Sequence, residues 1–131
     1  MTAYQLIDVL VQPPAVVATI KEEFLSTAIA AEFLQNDLQQ VISQYRPSVL
    51  VVDFAQVKMI SSSSIGKLLA IQQRLREYGG QLHLCRVSIP IAEVYRTLGL
   101  RDTRLFVFDT VEQALNTRVV EPQADREVME D

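Results

Sequence analysis

Cysteine occurs once in this chain of 131 residues, at Cys85, so no internal disulfide can form, and a disulfide-built secreted scaffold and a cysteine-based metal site are both excluded. Histidine also occurs once, at His83. The four glycines form no glycine-rich phosphate loop, which removes the usual sequence support for an NTPase. Lys and Arg together number 12 against 16 Asp and Glu, a formal charge of −4. Without a clustered basic excess there is no electrostatic basis for binding nucleic acid. No apolar run approaches the roughly 18 residues of a membrane span. The start, Met1 to Val11, lacks a basic region and carries Tyr4, Gln5 and Asp8 within its apolar stretch, unlike a signal peptide. The expectation is a cytoplasmic protein with no cofactor, no nucleic-acid partner and no direct insertion into a membrane.

What is present is apolar content, 49% of residues, enough for one well-buried core. Tyr4–Val11 and Ala15–Ile20 read as two strands separated by the Pro13-Pro14 turn. Ser26 or Thr27 can cap a helix with Ile29, Phe33, Leu34, Leu38, Val41, Ile42 and Tyr45 at helical spacing. Asn36, Asp37, Gln39 and Gln40 are expected on its outer face. Val49-Leu50-Val51-Val52 is apolar on both alternating faces and suits a central parallel strand. A second helix is expected through Leu68, Ile71, Leu75 and Tyr78, stopped by Gly79-Gly80 and followed by a strand over Gln81–Cys85. Ser88 can cap a third helix through Ile91, Val94, Tyr95 and Leu98, ended by Gly99 before a strand at Leu105–Phe108. Asp109 with Glu112 resembles a capping box for a last short helix through Val111, Ala114 and Leu115.

Repeated strand-helix units require crossover connections, so the expected fold is α/β: one domain with a mixed, mainly parallel sheet of about five strands flanked by four helices. The domain is expected over residues 1–117, and 118–131 as an acidic mobile tail without apolar periodicity.

Four consecutive serines, Ser61-Ser62-Ser63-Ser64, stand where a strand gives way to a helix. One can cap the helix while the others, being small, let it approach the sheet. The same helix start, with unpaired N–H groups and a positive dipole end, favours a phosphate. Lys58 and Lys67 flank the serines and could hold one, or simply be solvated. Asp53 is read either as ending its strand or as orienting the serine loop. His83 has no acid at a neighbouring motif position, which leaves a Ser-His-Asp hydrolase without support, and Cys85 reads as a small core residue.

The segment VVDFAQVKMISSSSIGKL, Val51 to Leu68, resembles the signature of the STAS family, whose best-known members are bacterial anti-sigma factor antagonists. Asp53, Val57, Met59-Ile60, Ser62, Ser63, Ile65 and Gly66 stand where that family has matching residue types. Gly79-Gly80, Leu98-Gly99-Leu100 and Thr110–Leu115 are similar to its second half. The resemblance implies a STAS-like domain that binds proteins rather than catalysing a reaction, with Ser63 as the phosphorylated residue and Ser62 or Ser64 as alternatives. It also implies a partner-binding surface formed by Asp53, Lys58, Ser61, Ser62, Ser63, Ser64 and Lys67. The implied partners are an anti-sigma-type serine kinase and its cognate phosphatase, or other STAS modules. A second branch of the family supplies an alternative, an accessory subunit of an ABC lipid transporter. Two departures stand out: Ser61 replaces the usual Asp, which alters local charge, and Ser64 replaces the usual Gly, which restricts the backbone wherever positive φ had been needed.

Overall fold

Val49–Asp53 has no polar face to give to water, and the chain solves this by placing the strand at the centre of a sheet, where all five residues are buried. The computed structural model describes residues 4–97 and 105–119. In chain order the elements are β1 (Ile7–Gln12), β2 (Ala15–Ile20), β3 (Phe24–Leu25), α1 (Ala28–Tyr45), β4 (Val49–Asp53) and β5 (Met59–Ile60). They continue with α2 (Ser62–Arg76), β6 (Gln81–Cys85), α3 (Ile89–Thr97), β7 (Phe106–Phe108) and α4 (Val111–Asn116). The main sheet has the order β1-β2-β4-β6-β7. β1 pairs antiparallel with β2 across a turn with a cis Pro13–Pro14 bond, and the other pairings are parallel. The structure thus has the mixed five-stranded sheet and four helices expected.

Alternate residues of the sheet feed two apolar clusters, as the period of two along a strand requires. Val16, Ala18, Leu50, Val52, Leu82 and Leu84 pack with Leu34, Leu38 and Val41 of α1 and with Ile65, Leu68, Ile71 and Leu75 of α2. On the other face Ala15, Val17, Val49, Val51 and Cys85 pack with Ala114 of α4. The first layer is much the larger, so it sets where α2 and its serines sit.

Several expectations are corrected. The inward stripe of α1 runs through Ala31, Leu34, Leu38, Val41 and Ile42, and Ile29 and Phe33 lie off that line, with Ile29 67% exposed. Asp37 belongs to the inside: it is fully buried, and its carboxylate accepts the N–H groups of Gln5 at 2.9 Å and Leu6 at 2.7 Å. Two amides ahead of β1 thereby gain partners, which is what makes a buried carboxylate tolerable. Thr110, not Asp109, caps α4, accepting from Gln113 N at 3.0 Å, and Gln113 Oε1 in turn accepts from Asp109 N. The carbonyl of Ser88 accepts from Ala92 N at the start of α3, but its hydroxyl is buried with no hydrogen-bond partner among the described residues. The two short parallel strands β3 and β5 were not expected at all. At the other end, Arg118 donates to Gly79 O at 2.9 Å and Val119 N donates to Gln81 Oε1 at 3.1 Å. Gly99 as a helix stop and the tail from 120 onward lie outside the described residues.

Leu68 is 1% exposed in the centre of the larger cluster. Leu68→Ala should therefore cost about 2–5 kcal/mol in urea unfolding, and a loss below about 0.5 kcal/mol would contradict its core position.

Candidate functional site at the serine-rich helix start

The start of α2 is fixed by β3 through a single carbonyl. Leu25 O accepts the N–H of Ser61 at 3.0 Å and the hydroxyl of Ser64 at 2.8 Å. Ser61, in extended conformation, is the N-cap, and its Oγ accepts from Ser64 N at 3.2 Å. A serine does this as well as the aspartate that usually stands there, because both offer a side-chain oxygen to the third helical amide. Ser64 has ordinary helical geometry, since the only described non-glycine residues with positive φ are Arg46 and Arg86. No backbone freedom of glycine is needed at that position, and the hydroxyl adds a bond a glycine could not make.

The four serines therefore divide. Ser64 is 0% exposed, and its hydroxyl is tied to Leu25 O. Ser61 is half-buried and occupied as the cap. Ser62 and Ser63 are exposed in the first turn, where main-chain N–H groups face outward.

Asp53 lies elsewhere in the arrangement. It is 2% exposed at the end of β4, and it accepts from Ala55 N at 3.0 Å, from Arg86 Nε at 3.0 Å and from Arg86 Nη2. The charged, two-pronged bond to Asp53 raises the proton affinity of Arg86. Asp53 is thus an internal brace between the ends of β4 and β6, and none of its described bonds goes to a serine. Lys58 pairs with Glu23 at 3.5 Å and Lys67 with Glu32 at 3.6 Å. Each lysine thus has a carboxylate beside it, and exposed pairs of this kind are worth little.

One pairing at this end is not legible in the sequence, although Met59 stands in the family-like Met59-Ile60 pair. Phe24 and Met59 are register partners in the β3–β5 pair, 48% and 54% exposed, and Met59 is two residues from the cap. Two-residue strands leave no period to read, which is why the pair was invisible. Among the described residues no group of His, Cys, Asp and Glu could hold a metal ion, and no helix is long and apolar enough to cross a membrane. His83 is fully buried with both ring nitrogens engaged, Nδ1 with Ala114 O at 2.8 Å and Nε2 with Gln81 Oε1 at 2.9 Å. It has no ring nitrogen left for a serine.

This layout matches a known family. Residues 7–114 fit the model of the STAS domain, and the chain belongs to that family. Its fold is shared by an anti-sigma-factor antagonist (STAS) domain protein from Planctomyces limnophilus, at 21% identity over 83% of this chain and 93% of the other, with a TM-score of 0.71. An anti-sigma factor antagonist from Mycobacterium paratuberculosis aligns at 19% identity over 83% and 89%, TM-score 0.70. The Bacillus cell fate determinant SpoIIAA in its phosphorylated form aligns at 21% identity over 84% and 96%, TM-score 0.62. No curated protein matches the chain.

Two measurements check this geometry. Ser64→Ala should lower stability by about 1–2 kcal/mol through the lost buried hydrogen bond, whereas Ser62→Ala should change it by less than about 0.5 kcal/mol. Equal effects would mean the helix start is rotated. Cys85 is buried and its thiol is pushed up to about 11, first by burial and then by the Asp53 charge. At pH 8 it should react with a thiol reagent only as fast as the protein unfolds, and prompt labelling of the native protein would contradict its burial.

Proposed function

We propose that the chain is a non-enzymatic, cytoplasmic protein-binding switch of the anti-sigma factor antagonist kind, controlled by phosphorylation at Ser63. The observation that carries this reading is the division of the four serines, with Ser62 and Ser63 alone exposed in the first turn of α2 while Ser61 and Ser64 are held inward. Ser63 is the one that stands at the family's second hydroxyl position. Membership of the STAS family and the shared fold of SpoIIAA in its phosphorylated form support the reading.

The unmodified partner surface consists of Ser62 and Ser63 with the exposed Phe24–Met59 pair beside them, and Lys58 and Lys67 on the rim. A kinase of the anti-sigma type, or another STAS module, docks there, and a phosphatase restores the docking form. Phosphate adds about −1.5 to −2 charges with their hydration shell, which an apolar or acidic partner surface rejects. The helix N-terminus tolerates the group in the free protein.

Co-expression with an anti-sigma-type kinase should add one phosphate, mapped to Ser63 by peptide mass. Ser63→Ala should abolish it while preserving partner binding, and Ser63→Asp should weaken binding. Phosphate found only on Ser62 would reassign the residue. With a kinase active on other substrates, no phosphate on any serine would defeat the switch.

A further inference from the structure

On the face of the sheet away from α1 and α2, a polar network is buried that the serine site does not use. His83 lies between two groups that both present oxygen: Ala114 O faces Nδ1 at 2.8 Å and Gln81 Oε1 faces Nε2 at 2.9 Å. The orientation of the Gln81 amide is independently set by Val119, whose N–H donates to Oε1 at 3.1 Å and whose carbonyl accepts from Nε2 of Gln81. Turning the amide over would set donor against donor and acceptor against acceptor at Val119. With this orientation, both ring nitrogens of His83 must donate, and only the imidazolium does so.

We propose that His83 and Gln81 form a proton-operated clasp on the carboxyl-terminal segment Thr117–Val119. With the ring protonated, His83 donates to Ala114 O and to Gln81 Oε1, and the amide grips Val119 through both of its main-chain groups. When the ring loses its proton, one nitrogen becomes an acceptor. The carbonyl of Ala114 cannot turn away, because it belongs to α4 and Ala114 is fully buried. The Gln81 amide turns instead, by rotation about its terminal torsion, and offers its NH2 to Nε2. Both bonds to Val119 are lost in that turn. Acid closes the clasp and loss of the proton opens it.

The surroundings are otherwise quiet. Phe106 and Phe108 of β7 pack their rings on the imidazole, at centroid distances of 6.0 and 4.8 Å. Cys85, two residues along β6, carries a thiol that stays neutral. From β4 the register partner is Val51, with Asp53 beyond it already paired to Arg86. On α4 the one charged residue is Glu112, which is exposed. The remaining charge is Arg118. Burial lowers the proton affinity of His83 below the ordinary histidine value, the bond to Ala114 opposes that, and Arg118 reinforces it. The clasp therefore opens on the acid side of the range typical of histidine.

The test is an NMR titration of the full chain from about pH 4.5 to 8.5, following the His83 ring nitrogens and the Val119 amide. The Val119 amide should lose order, and its solvent exchange corrected for intrinsic pH dependence should rise at least about threefold, with the midpoint of the ring. Gln81→Leu should leave Val119 released throughout and shift the ring's midpoint to lower pH. His83→Asn should remove the pH response of Val119. A Val119 amide that stays unchanged while the ring titrates, a response surviving in Gln81→Leu, or a ring that keeps one protonation state across the range would each overturn the clasp. If His83→Asn does not fold, Gln81→Leu and the wild-type titration decide the matter alone.

Discussion

The carbonyl of Leu25 is the point on which the serine site hangs. It receives the N–H of Ser61 and the hydroxyl of Ser64, and so joins a two-residue strand to the first turn of α2. Because successive residues on a helix are about 100° apart, residues 64, 65 and 68 share an arc of about 100°, and with that arc turned inward 62 and 63 fall outside it. The burial of Ser64, Ile65 and Leu68 follows this rule. Replacing glycine by serine at 64 therefore trades backbone freedom the position does not use for a bond that fixes which hydroxyls face solvent.

How much of this could be read from sequence follows from the length of the signal each element carries. β4 and α2 were legible because a run of four apolar residues and a stripe through Leu68, Ile71 and Leu75 are long enough to show a period. β3 and β5 are two residues each and show none. The four serines stood out as a composition, but which of them are held could not be known until Leu25, 39 residues away from Ser64, was placed. Asp37 misled for a related reason. Its partners are main-chain amides more than 30 residues distant, and only the fold supplies them. The pairing of Asp53 with Arg86 was hidden in the same way, since Arg86 reaches it from a left-handed turn after β6.

The two faces of the sheet place their polar groups under different constraints. On the face packed against α1 and α2 the core is apolar, and its buried polar side chains include Asp37 of α1 and Ser64 and Gln72 of α2. On the opposite face the one helix among the described residues that packs on the strands is the short α4, and Gln81 and His83 stand next to it with their bonds made to α4 and to the chain beyond. A buried polar group costs little when each of its bonds is made and several kcal/mol when one is broken. The second face therefore has more to lose from a small rearrangement of its terminal segment than the first has from motion of an apolar side chain.

The electrostatics of the serine rim bear on how a charge change there would be felt. Lys58 and Lys67 flank the serines in sequence, and Glu23 and Glu32 already stand within 4 Å of them. A phosphate on Ser63 would have to share each lysine with a carboxylate, so it would gain less from them than from the N–H groups of the first turn of α2. Those amides hold a phosphate in place without neutralising its formal charge, because a helix N-terminus carries only about half an elementary charge. Most of the added negative charge would remain on the surface, beside Phe24 and Met59. A partner that covers this apolar pair would thus meet a group that keeps most of its negative charge, and desolvating such a group costs more than burying the pair returns.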